Sequence, residues 1–136
     1  MSTDVMALID RLESEHVQMR GALDALGSAI DQDDDVALRG ALATGAEVLG
    51  RGLDVHSQDE DEDLFPRIAS MIGEGMVSAF VEEHVRIRAL RDQVYEVMRR
   101  GEADFNGCVE LRELLTDHMQ REDQALFPSA RSVLAD

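Results

Sequence analysis

Apolar side chains recur along this chain at alternating steps of three and four, the spacing that places them on one face of a helix. In the first segment Ile9, Leu12, His16, Met19, Leu23, Leu26 and Ile30 form one stripe. Thr3 or Asp4 suits its N-cap, so a helix is expected from Thr3 to about Ile30. Asp31 to Asp35 breaks the pattern. A second stripe then runs through Leu42, Gly45, Leu49, Leu53, His56, Glu60 and Leu64, and Pro66 is expected to kink or stop it. Beyond Gly73 and Gly75 a third stripe takes in Val77, Phe80, His84, Ile87, Arg91, Val94 and Met98 and ends at a cap on Gly101. The fourth opens at Asp104, passes through Cys108, Leu111, Leu115, His118, Glu122 and Leu126, and should break near Pro128. Few β-branched runs argue against a sheet. Four helices with short connections describe an all-α, up-down-up-down antiparallel four-helix bundle, with residues 1–136 expected to form a single domain.

The chain also repeats itself. HSQDEDEDLFP from His56 matches HMQREDQALFP from His118, and EHVQMR from Glu15 matches EHVRIR from Glu83. The bundle therefore reads as two duplicated helix hairpins, and every histidine belongs to a repeated segment. All four sit on apolar stripes, where an imidazole without a partner costs ~1 to 3 kcal/mol. His56 and Glu60, like His118 and Glu122, are spaced i, i+4, which places ring and carboxylate on one helical face. With His16 and His84 from the other helices, the centre would offer four nitrogens and two carboxylates, a ligand set for two metal ions. Asp123 is the alternative to Glu122. It lies ~140° around the helix from His118, against ~40° for Glu122, so spacing favours Glu122. The competing reading is a structural bundle whose buried imidazoles and carboxylates pair with each other, holding one zinc or no metal; such buried ion pairs usually lose to apolar packing.

Charge narrows the functions further. Lys and Arg number 13 against 29 Asp and Glu, a net charge of −16, which argues against nucleic acid and anionic membranes as partners. One cysteine, Cys108, allows neither an internal disulfide nor a multi-thiolate zinc site, and it reads as a small buried group. No apolar run approaches the ~18 residues of a membrane span, and the first ten residues lack the pattern of a signal peptide. Together these features point to a cytoplasmic protein.

The order His, His-x-x-x-Glu with Leu-Phe-Pro, His, and a second His-x-x-x-Glu with Leu-Phe-Pro resembles the hemerythrin-like, or HHE cation-binding, domain along essentially the whole chain. The resemblance implies a bundle holding a non-haem di-iron centre. His16 and His56 would ligate one iron, His84 and His118 the other, with Glu60 and Glu122 bridging both and a solvent-derived oxo or hydroxo bridge between them. It implies a small ligand, dioxygen, nitric oxide or peroxide, that is sensed, carried or scavenged. The alternative is an enzyme that disproportionates peroxide, or one that releases iron for iron-sulfur-cluster repair. In the oxygen-carrying members the third helix bears His-x-x-x-His, but here Arg88 stands one turn after His84. One nitrogen ligand fewer shifts the expectation from reversible carriage towards redox chemistry or sensing. The repair members' additional cysteine-bearing segment does not occur in this sequence, which weakens the repair expectation.

The remaining features have plainer readings. Asp59, Asp61, Glu62 and Asp63 are expected on a solvated face, with some accepting hydrogen bonds from ligand imidazoles. Arg88 could hold an anionic ligand or lie along the bundle surface. Tyr95 is expected to be partly exposed packing. Met6, Met19, Met71, Met76, Met98 and Met119 read as gap-filling core. Gly40, Gly45, Gly50 and Gly52 weaken the second helix and suggest close helix approach or a locally mobile start.

Overall fold

A computed structural model describes residues 2–135 of the chain, and these form four helical arms. α1 is Ser2–Gln32, α2 covers 35–72, α3 is Glu74–Arg99 and α4 covers 105–135. No strand occurs among the described residues. α1 and α3 both lie between α2 and α4, whose C-terminal segments also touch each other, and the short connections make successive arms antiparallel.

The turns follow from local chemistry. α1 ends at Asp33, whose φ of 52° turns the chain, and the Asp34 side chain then accepts from the Ala37 N–H to cap α2. α2 and α3 meet at Gly73, where φ is 115°. α3 closes with Gly101 N–H on the Met98 carbonyl and Glu102 N–H on that of Val97, a Schellman cap centred on the expected glycine. Asp104 caps α4 through the Gly107 N–H, also as expected. At the other end α1 already begins at Ser2. Thr3 and Asp4 therefore lie inside its first turn rather than at the N-cap position expected of them; Met1 is outside the described residues.

The two prolines do not break their helices. α2 runs through Pro66 to Ile72, and α4 runs through Pro128 to Ala135. Ahead of each lies a five-residue π segment, Glu60–Leu64 and Glu122–Leu126, in which Phe65 N–H bonds the Glu60 carbonyl and Phe127 N–H that of Glu122. Each proline then enters as the second residue of a fresh α-helical stretch, where a missing N–H leaves no bond unmade. The extra residue also turns two consecutive side chains inward, so Leu64 and Phe65, and likewise Leu126 and Phe127, are all buried.

A third π segment, Val48–Gly52, lies within α2. Arg91, a buried residue of the neighbouring α3, donates from its guanidinium to the carbonyls of Leu49 and Gly50 there, at 2.9 and 3.2 Å. Gly45 lets α1 approach, since a Cβ there would stand 3.3 Å from that of Ala22. Tyr95 is buried rather than partly exposed, and its hydroxyl donates to the Leu42 carbonyl at 2.7 Å. The polar terminus thus caps a carbonyl while the ring packs. Met71 and Met76, expected in the core, are exposed because they flank the α2–α3 turn.

The buried apolar residues fall into two clusters. One contains Met19, Leu53, Ile87, Leu115 and Met119, the other Leu12, Phe65, Ile68, Phe80 and Phe127. The four histidines and two glutamates form the layer between them.

Candidate metal centre

His16, His56, Glu60, His84, His118 and Glu122 come together in that layer, none more than 3% exposed. Nε2 of His16 and Nε2 of His56 stand 3.2 Å apart, and those of His84 and His118 stand 3.1 Å apart. Two imidazole nitrogens each ~2.1 Å from one ion, at roughly a right angle, would be separated by about 3 Å. Each pair converges as two ligands of a single ion would. Glu122 addresses both pairs, Oε1 lying 3.0 Å from His16 Nε2 and Oε2 3.4 Å from His118 Nε2. Oε1 of Glu60 does the same, 3.5 Å from His56 and 3.0 Å from His84.

The two carboxylates are an electrostatic problem for the protein alone. None of their four oxygens has a hydrogen-bond partner among the described residues, though all are buried. Burial, reinforced by repulsion from Glu122, pushes the Glu60 carboxyl well above the usual carboxylate range. Burial acts on Glu122 too, but the neighbouring Glu60 carboxyl and the imidazoles of His118 and His16 outweigh it and hold that carboxyl well below. A cation between the carboxylates would satisfy the oxygens that the protein leaves unpaired. The donor set is four neutral nitrogens and two carboxylates with no thiolate, which suits iron or another borderline ion and disfavours Cu(I).

Around this layer runs a second ring of acids. His16 Nδ1 meets Asp123 at 2.9 Å, His56 Nδ1 meets Glu15 at 2.8 Å, His84 Nδ1 meets Asp61 at 2.7 Å, and His118 Nδ1 meets Glu83 at 2.7 Å. A carboxylate on Nδ1 fixes the tautomer with the proton there and leaves the Nε2 lone pair facing the centre. Arginines hold three of these acids, Arg20 on Asp123, Arg121 on Glu83, and Arg11 on Glu15 and Asp59. The hydrogen bond from His56 draws the Glu15 carboxyl below its ordinary value. Burial would lower the His118 pKa, but Glu122 and Glu83 raise it.

Asp123 stands on the Nδ1 side of His16, facing away from the cluster. Of the acidic run, Asp61 turns to His84, Asp59 pairs with Arg11 and Asp63 with Arg67. Phe65 stacks on His84 and Phe127 on His16, while Phe80 sets its ring against His118 nearly at right angles. The Leu-Phe-Pro motif therefore has a local task, since its π turn swings each Phe onto a histidine of another helix. A narrow pocket on the opposite side is lined by Met19, Leu53, Ser57, Ile87, Leu115 and Met119. Arg88 is half-buried and does not line it. The sequence reading did not single out Glu15, Glu83 or Ser57. The repeated dyads Glu-His in α1 and α3 and Glu-Asp in α2 and α4 were the available signal for the acids.

A family model for the hemerythrin HHE cation binding domain matches residues 7–130. The chain belongs to that family. Membership in the hemerythrin family implies metal-ion binding, and two clusters, Glu60, His84, His118 and Glu122, and His16, His56 and Glu122, place ligand atoms within 4.8 Å of one another. A curated relative described as a DNA nickase, from Nostoc sp. (strain PCC 7120), is 26% identical over 85 residues, 62% of this chain. This hemerythrin-family chain spans only 24% of that protein's length. No solved structure matches significantly. No helix among the described residues is long and apolar enough to cross a membrane.

Proposed function

We propose that the chain is a non-haem di-iron protein that binds and reacts with dioxygen, nitric oxide or peroxide at the centre of the bundle. His16 and His56 would hold one iron, His84 and His118 the other, with Glu60 and Glu122 spanning both. The observation that carries this reading is the set of four buried glutamate oxygens without hydrogen bonds, each carboxylate standing between the two histidine pairs. When bound, such an iron pair supplies one-electron redox steps and open coordination positions for a small ligand.

The protein's own share is orientation and exclusion. Asp123, Glu15, Asp61 and Glu83 keep the protons on Nδ1, so all four Nε2 atoms serve as donors. Three phenylalanines close one side of the layer against water. The pocket on the other side is narrow and walled by Met19, Met119 and other apolar side chains, which suits a ligand of no more than about two or three heavy atoms. That limit is equally met by hydrogen peroxide as a substrate, so peroxide disproportionation is the second reading. Iron release for cluster repair would require the six enclosed ligands to open together. The name of the Nostoc relative lends no activity to this chain, because the match covers so little of that protein.

Metal content tests the proposal first. Protein purified without chelators, or loaded anaerobically with Fe(II), should carry about two irons per chain, and His56→Ala should carry roughly one or fewer. Absence of iron after loading, or an unchanged content in His56→Ala, would overturn the assignment. Turnover of peroxide with the iron spectrum retained would decide for the enzyme over the binding module.

A further inference from the structure

The pocket beside the histidines is apolar except at one point. Met19, Leu53, Ile87, Leu115 and Met119 belong to a single apolar cluster, while Ser57, also in the wall, is a polar residue 1% exposed. The internal repeat sharpens the contrast, since Ser57 occupies the place that Met119 holds in the other half. The larger, apolar methionine serves at that position in one half, and a hydroxyl stands there in the other. Beyond Ser57, the hydrogen-bonding groups lining the pocket belong to the four histidines. Their Nδ1 atoms are taken by Asp123, Glu15, Asp61 and Glu83, and their Nε2 atoms face the centre.

We propose that the Ser57 hydroxyl donates a hydrogen bond to the small ligand held in this pocket and so sets which ligands stay. The inference rests on the di-iron reading above. The ligand class it selects has an acceptor atom at its free end, as dioxygen, peroxide and linear anions such as azide do. A serine hydroxyl in a helix is a rotor that bonds either a carbonyl one turn back, here that of Leu53, or a group on its other side. In a dry apolar pocket a hydrogen bond to a charged acceptor is stronger than in water, so the ligand outcompetes the carbonyl.

Azide binding to the iron-loaded full chain provides the test, read by its charge-transfer absorption and by the infrared stretch of bound azide. Iron content is measured first in every variant, so a wild-type chain without iron refutes the di-iron reading and not the role of Ser57 alone. With iron content and melting temperature held, Ser57→Ala should weaken azide roughly tenfold, mostly through faster release, and shift the azide stretch. Ser57→Thr and Ser57→Val share one shape and differ in the hydroxyl. Thr should retain affinity and stretch frequency while Val loses both, and this pair decides the matter even if Ser57→Ala alters packing. Equal affinities and equal stretch frequencies in Thr and Val would overturn the proposal, because the residue would then act through volume alone.

Discussion

An imidazole on an apolar stripe has two nitrogens to satisfy, and in each of the four histidines they face opposite ways, Nε2 to the centre and Nδ1 to an acid. The inward half was legible in the sequence, because burying His56 and Glu60 at i, i+4 on an apolar face leaves a polar demand that only a shared site meets. The outward half was not. Glu15 is next to His16 yet serves His56, and Asp123 is next to Glu122 yet serves His16, so each acid works across a helix boundary that linear spacing does not show. Tyr95 hides in the same way, since nothing near it in sequence names Leu42 as its acceptor. It is the one tyrosine in the chain, so tyrosinate absorbance reports it alone. Burial is the main force that pushes its hydroxyl up to about 12, whereas an unfolded chain ionises near 10. The folded state holds this proton more tightly. Its stabilising contribution is therefore complete below about pH 10 and lost as pH rises through about 12. A midpoint near 10 in protein still folded by circular dichroism would show the hydroxyl open to solvent.

At the level of the helix, periodicity located four arms and the caps at Gly101 and Asp104 but missed what happens inside α2 and α4. Proline removes a donor and clashes with the carbonyl four residues back, from which a break was the natural expectation. The π segments Glu60–Leu64 and Glu122–Leu126 absorb that conflict with one additional residue. The sequence does carry a trace of it, since adjacent Leu and Phe before each proline cannot both face one core in an ideal α-helix. Both segments begin on the glutamate proposed to bridge, so the widened turn also sets where that carboxylate and the following Phe lie. Deleting the exposed Glu62 should let the first segment relax to an α turn. Helical circular dichroism should persist while iron content falls to about one or below, because Glu60 and Phe65 lose their placement relative to His84. A deletion variant retaining the wild-type iron content would show that the π turn is incidental to the site.

Across the whole molecule the polar layer divides the core, leaving an apolar cluster on each side. Two buried carboxylates without hydrogen bonds lie in that layer within a chain of net charge −16, so local desolvation and overall repulsion both oppose folding of the metal-free protein. The charge balance, the apolar stripes and the meeting of six polar residues were readable in advance, but the division of the core was not, because it depends on which apolar side chains pack on either side of that layer. Cations at the centre would counter both penalties while binding only the folded arrangement, and binding at a hundredfold excess over Kd adds about 2.7 kcal/mol. For a chain of this size that corresponds to a rise of roughly 5–10 °C in melting temperature. Stripping the loaded protein with a strong chelator should reverse the rise and make the melt more sensitive to salt, since screening then has more unbalanced negative charge to act upon. Identical melts with and without chelator, on protein shown to have carried iron, would mean that the layer is satisfied by its own side chains. The orphaned glutamate oxygens would then lose their force as the sign of a metal centre.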